Sequence, residues 1–188
     1  IDGPSLGHGS TEVTEGMKHK PGRKELQKAA ARKPVDIQSL LLHARRCMDD
    51  HIPGKALELL EKVVETDPDN AEAWLRIGLC WGMSLLENLP STEIWGEEKD
   101  EELMVENAIH ALEKAIEFDP ELVTAYNAMA RIYMIRGQEE EAIELFNLSL
   151  SIDQSQLDVV DELQEITGSP AWELLDKETD MGDDEDGF

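Results

Sequence analysis

The sequence predicts an all-α fold, a solenoid of stacked helical hairpins closed by one further helix. Three observations lead there. Ile37–Asn70 and Val123–Gln156 are each 34 residues long and align in one register, which Ala71–Leu122 shares at both of its ends. Apolar residues within these segments recur at three- and four-residue steps, the spacing of a helical stripe. Turn signals stand at the joints, DPDN at 67–70 and DPE at 119–121. A single hairpin of this size cannot bury its own apolar face, so neighbours must stack to build a core.

The elements follow in order. Residues 1–16 are rich in Gly, Ser and Thr and read as an appended linker, a native flexible arm or a fused ligand peptide, with Met17 as the natural start. Residues 17–35 form a basic, partly helical arm. Lys18, Lys20, Arg23, Lys24, Lys28, Arg32 and Lys33 face Glu25 alone, so residues 17–33 carry about +6. A solvated arm, a nuclear-localisation signal and an RNA-contacting patch all fit that charge. The solenoid occupies 36–167. Its first hairpin, 37–70, has one stripe of Leu40, Ala44 and Cys47 and a second of Ala56, Leu60 and Val63.

The middle hairpin, 71–122, opens with Trp74, Ile77, Gly78 and Trp81 and closes with Ala108, Leu112 and Ala115. Between them lie 18 residues more than the period allows, since 52 − 34 = 18. The register puts Pro90 where a small helical residue is needed, and Ala108 fits that role instead. The first helix is therefore expected to run on through Met83–Leu89, to break at Pro90-Ser91-Thr92, and to be followed by a second helix from Lys99–Asn107. Trp95 falls in the protruding loop. It either folds back, as large aromatics usually do, or stands out as an anchor for a partner.

In the third hairpin, 123–156, Tyr126, Met129, Ala130 and Tyr133 form one stripe, Gly137 permits the turn, and Ala142, Phe146 and Ser149 form the other. A capping helix over 157–167 would bury Leu157, Val160, Leu163, Gln164 and Ile166, and turn Asp158, Asp161, Glu162 and Glu165 to water. Gly168 ends it. A short docking helix, 168–178, would sit on Trp172, Leu174 and Leu175, and an acidic disordered tail, 179–188, completes the chain.

The alternation of large, small and aromatic positions, with Pro68 and Pro120 before the joints, resembles the tetratricopeptide repeat. Val123–Gln156 matches well except for Gln154 in place of the proline. Ile37–Asn70 matches more loosely, with His43 at an apolar position and His51 where glycine is common. The resemblance implies a right-handed α-solenoid of three tetratricopeptide-type hairpins with a capping helix, whose first helices line a concave groove. On this chain the groove positions are Leu41, Leu42, Arg45 and Met48, then Leu75, Arg76, Leu79 and Gly82, then Asn127, Arg131 and Met134. An apolar groove with three arginines suits an extended or helical peptide carrying apolar anchors and an acidic or C-terminal carboxylate group. Family members that clamp the C-terminal carboxylate of heat-shock proteins use lysines, asparagines and an arginine at positions here held by Leu41, Arg45, Arg76, Thr124 and Ala128, so that clamp is not expected.

Charge narrows the partners further. The chain carries 42 acidic and 17 basic residues, net −25. An acidic folded surface repels phosphate, so nucleic acid is expected only at the basic arm. The leading reading is a protein-interaction scaffold that takes a partner's peptide in the groove, and not an enzyme. The alternative is an acidic chaperone or assembly factor for a basic client such as a ribosomal or nuclear protein. In the tail, Asp183, Asp184, Glu185 and Asp186 either aid solubility or fold back onto Arg45, Arg76 and Arg131. Cys47 and Cys80 make no disulfide framework and suit reduced thiols in a cytoplasmic or nuclear protein. His43, Cys47 and His51 share a helical face, but three consecutive turns span roughly 12 Å, too far to converge on one ion. His43 and Cys47 are assigned to packing. No metal or cofactor is expected, and no motif for membrane spanning or catalysis is present.

Overall fold

A computed structural model describes residues 36–169, all within one unit of the chain, Asp36–Phe188. Residues 1–16, the basic arm, the acidic tail and all of the expected docking helix beyond Ser169 lie outside these residues. Among the described residues every element is helical: α1 (Ile37–Asp49), α2 (Pro53–Thr66), α3 (Ala71–Leu86), α4 (Ser91–Trp95), α5 (Glu101–Phe118), α6 (Val123–Ile135), α7 (Glu139–Ile152) and α8 (Leu157–Thr167). The hairpins are α1–α2, α3–α5 and α6–α7, each packed on the next, with α8 closing the end against α7. The all-α solenoid read from the period is the fold observed.

Local chemistry fixes the ends of these helices. Asp36, Asn70 and Asp100 cap α1, α3 and α5, each side chain accepting from a backbone N–H three residues on (3.2, 2.9 and 2.9 Å). The first helix of every hairpin ends alike. A residue with positive φ follows two positions after the helix: His51 (56°), Asn88 (52°) and Gly137 (73°). In each case the next N–H reaches back to a carbonyl five residues earlier, Ile52 to Cys47, Leu89 to Ser84 and Gln138 to Tyr133. This is the Schellman closure that satisfies the last carbonyls of a helix. His51 therefore occupies a position where glycine would be unstrained.

The core runs through three clusters. Leu41, Ala44, Ala56, Leu60, Val63, Ile77 and Cys80 join α1, α2 and α3. Ala108, Leu112, Ala125, Met129 and Ile132 join α5 and α6. Ala130, Ala142, Phe146, Val159, Val160 and Leu163 join α6, α7 and α8. At two joints an aromatic ties the new helix to the preceding turn. The Trp74 indole donates to the Pro68 carbonyl (2.7 Å), and the Tyr126 hydroxyl donates to the Pro120 carbonyl (3.1 Å). The third joint lacks proline and is held by Gln156, whose amide donates to the carbonyls of Ser149 and Asp153.

Several local expectations are corrected. Helix α3 stops at Leu86, so the insertion adds less helix than Met83–Leu89 suggested. His43 is exposed on α1 and does not pack, whereas Cys47 lies against the first cluster. Leu157 is 72% exposed and Val159 takes its place in the core. Trp95 is not a projecting anchor: it ends the short helix α4 and stacks on Trp81, centroids 5.2 Å apart at 26°, with Lys99 Nζ 5.5 Å over its ring. The insertion thus folds back onto α2 and α3.

Burial pushes the Cys80 thiol up from 9.0 to about 12, with Cys47 adding to the shift and Arg76 opposing it. A raised thiol contributes stability that is whole below about pH 9 and is lost as pH climbs towards about 12, because the unfolded thiol ionises first. The stability gap between the wild type and Cys80→Ala should therefore narrow from neutral to alkaline pH. Denaturant titrations across that range check it, and a constant gap would contradict it.

Candidate functional site

Helices α1, α3 and α6 are the first helices of their hairpins, and residues of the C-terminal halves of α3 and α6 line a cavity together with α8. Two adjacent cavities lie along this face. One, of about 390 Å³, is lined by Met48, Leu79, Met83 and Leu86 with Asp49, His51 and Glu87. The other, of about 300 Å³, is lined by Leu86, Met134, Ile135 and Ile166 with Arg131, Glu162 and Glu165. Leu86 is common to both, so the two cavities adjoin, and together they make up the trough of this face. Its wall is rich in Met and Leu, flexible side chains that adapt to a partner's shape.

The groove positions read from the sequence separate into groups. Met48, Leu79, Arg131 and Met134 line the trough. Leu41 and Asn127 are buried (3% and 7% exposed) and serve packing. Gly82 is also buried, and Leu75 packs in the second cluster. Leu42 is exposed and lines neither cavity. Asn127 donates to Gln156 Oε1 at 2.6 Å, while its own carbonyl oxygen is buried without a donor.

The expected cationic groove is corrected as well. Arg76 donates to the Leu41 carbonyl (3.1 Å) and to Glu72 (2.6 Å). The Arg131 guanidinium donates from Nε to both oxygens of Glu162 (3.1 Å) and from Nη2 to Glu162 (2.6 Å) and Asp158 (3.3 Å). These bonds raise the Arg131 pKa above its ordinary value, the Glu162 hydrogen bond being the largest cause. Asp158 and Glu162 therefore do not simply face water: they fasten α8 to α6. Arg45 alone of the three is exposed with no ion-pair partner among the described residues.

Sequence reasoning missed Met83, Leu86, His51, Glu87, Glu162 and Glu165. Met83, Leu86 and Glu87 lie in or beside the part of α3 that outruns the period, and an early count of that extension would have flagged them. His51 accepts or donates a hydrogen bond with Glu87 at 2.7 Å, depending on its tautomer. Among the described residues no cluster of three His, Cys, Asp or Glu side chains is placed to hold a metal ion, and no helix is long and apolar enough to cross a membrane.

A family model described as tetratricopeptide repeat matches residues 111–144, a window one period long that runs from α5 through α6 into α7. Over that window the chain is similar to the tetratricopeptide repeat family. Among curated relatives, the mitochondrial import receptor subunit TOM70 of Homo sapiens is 28% identical over 81% of this chain and 21% of the receptor. Interferon-induced protein with tetratricopeptide repeats 2 of Homo sapiens is 28% identical over 80% of this chain and 29% of that protein. The chain thus spans about a fifth to under a third of the length of these relatives.

Solved structures share the fold. MamA superposes with a TM-score of 0.57 at 22% identity, covering 83% of this chain and 80% of MamA. The first repeat domain of Spaghetti (RPAP3), bound to the HSP90 peptide SRMEEVD, gives 0.57 at 13% identity, covering 70% of this chain and 93% of that one. Tetratricopeptide repeat proteins act in general as protein-interaction scaffolds and bind other proteins or peptides.

Proposed function

We propose that this chain is an interaction scaffold that holds a peptide segment of a partner protein in the trough between α1, α3, α6 and α8, without a catalytic step or cofactor. The two adjoining cavities that share Leu86 carry this reading. They offer a partner successive Met and Leu contacts on the first-helix face, bordered by charged side chains. The half-buried Met48, Leu79 and Met134 sit beside it, and wrapping them would remove apolar area from water at about 25 cal/mol per Å².

Met48→Glu and Met134→Glu are expected to weaken an apolar synthetic peptide of helical Leu spacing at least tenfold, about 1.4 kcal/mol. Leu148→Glu, at an exposed residue of α7 away from the trough, should leave binding as it is. Fluorescence anisotropy titrations measure both, with circular dichroism to show that each variant folds. Undiminished binding by both methionine variants would sink the groove reading.

A second reading, an acidic chaperone for a basic client, draws support from charge. Residues 36–169 hold nine basic and thirty acidic residues, net 9 − 30 = −21. Charge masking over the whole surface would collapse between low and high salt, while an apolar trough would hold its peptide.

A further inference from the structure

Resting on the groove reading above, we propose that the trough selects protein segments in which lysine or arginine flanks the apolar anchors, and turns away acidic ones. Four carboxylates line it: Asp49, Glu87, Glu162 and Glu165. Its one arginine, Arg131, is held by Glu162 and Asp158 across α6 and α8. Of the other two groove arginines, Arg76 is committed to Glu72 and to the Leu41 carbonyl, and Arg45, exposed on α1, lines neither cavity. Asp49 and Glu165 are exposed and have no ion-pair partner among the described residues, and they belong to opposite ends of the trough, Asp49 to the α1 cavity and Glu165 to the α8 cavity.

An apolar surface bounded by uncompensated negative charge at both ends complements an amphipathic segment with cations on either side of its apolar residues. A glutamate-flanked segment would meet repulsion at both ends, reinforced by the −21 charge of residues 36–169. The expected partner is thus the electrostatic opposite of the acidic or carboxylate-ended peptide that three arginines suggest in the sequence.

Three labelled peptides with identical apolar anchors, flanked by Lys, Gln or Glu, test this on the full chain by anisotropy at low and high salt. The Lys peptide should bind about fivefold to tenfold more tightly than the Gln peptide at low salt, the Glu peptide most weakly, and the spread should shrink at high salt. Asp49→Asn with Glu165→Gln should bring the Lys and Gln peptides together. Glu58→Gln with Glu61→Gln, which removes the same charge from exposed positions of α2, should leave the order intact. Equal binding of the Lys and Gln peptides overturns the charge selection and leaves the groove reading standing. Erasure of the preference by the α2 pair overturns it too, since the field of the whole protein would then explain it. If none of the three peptides binds, the groove reading falls and this inference falls with it.

Discussion

Gly78→Val is expected to keep the middle hairpin from closing and to cost about 3 kcal/mol or more of stability. A Cβ at Gly78 would stand 2.6 Å from Leu112 Cγ and 2.8 Å from its Cδ2, with the Ala108 carbonyl oxygen at 3.1 Å. Leu112 and Ala108 are both fully buried on α5, so neither has room to retreat. Gly78→Ala meets the same obstacle with one carbon, set against the roughly 1 kcal/mol that alanine gains over glycine inside a helix. The collision outweighs that gain. Gly54 supplies the control. It lies in α2, nothing stands within 4 Å of its added Cβ, and Gly54→Ala should stabilise by about 0.5–1 kcal/mol. Urea denaturation of the three variants decides the matter. A Gly78→Val protein as stable as wild type would show that α3 and α5 are not held at this distance.

Phe146→Ala is the second large effect, expected at about 3–5 kcal/mol. Phe146 is the largest fully buried side chain among the described residues and sits where α6, α7 and α8 meet. Deleting the ring leaves a cavity that Ala130, Ala142 and Leu163 on three separate helices cannot all fill. In a solenoid each hairpin leans mainly on its neighbours, so the damage should be local. Hydrogen exchange should show protection lost first in 123–167, with α1 and α2 retaining theirs. Loss spread evenly from 37 to 167 would mean that the array unfolds as one unit, against this account. Because Glu162 and Ile166 line the trough from α8, the same substitution should also weaken peptide binding.

The fold was readable because it is written in local spacing. Small residues at Gly78, Ala108, Ala130 and Ala142 mark where helices touch, and they are buried as expected. The left-handed turn residue is legible as Gly137, and its register recovers His51. Asn88 escaped notice because α3 outruns the period before closing in the same way. The cap was half legible. A stripe beginning at Leu157 and one beginning at Val159 both lead through helical steps to Leu163 or its neighbours, and only the turn anchored by Gln156 sets which of them faces α7.

The amino-acid sequence by itself determined the number of hairpins, their register, the place where the period is interrupted and the overall negative charge. Each of these is a property of residues three or four apart, or of a simple count. The tertiary structure alone decided the character of the trough. Arg131 meets Glu162 from 31 residues away, Arg76 reaches a carbonyl 35 residues back, and Trp95 finds Trp81 across the insertion. Long side chains choose partners by proximity between helices, and no periodicity along the chain records that proximity. A groove that carries three arginines in sequence is therefore lined in space by four carboxylates and one arginine already bound.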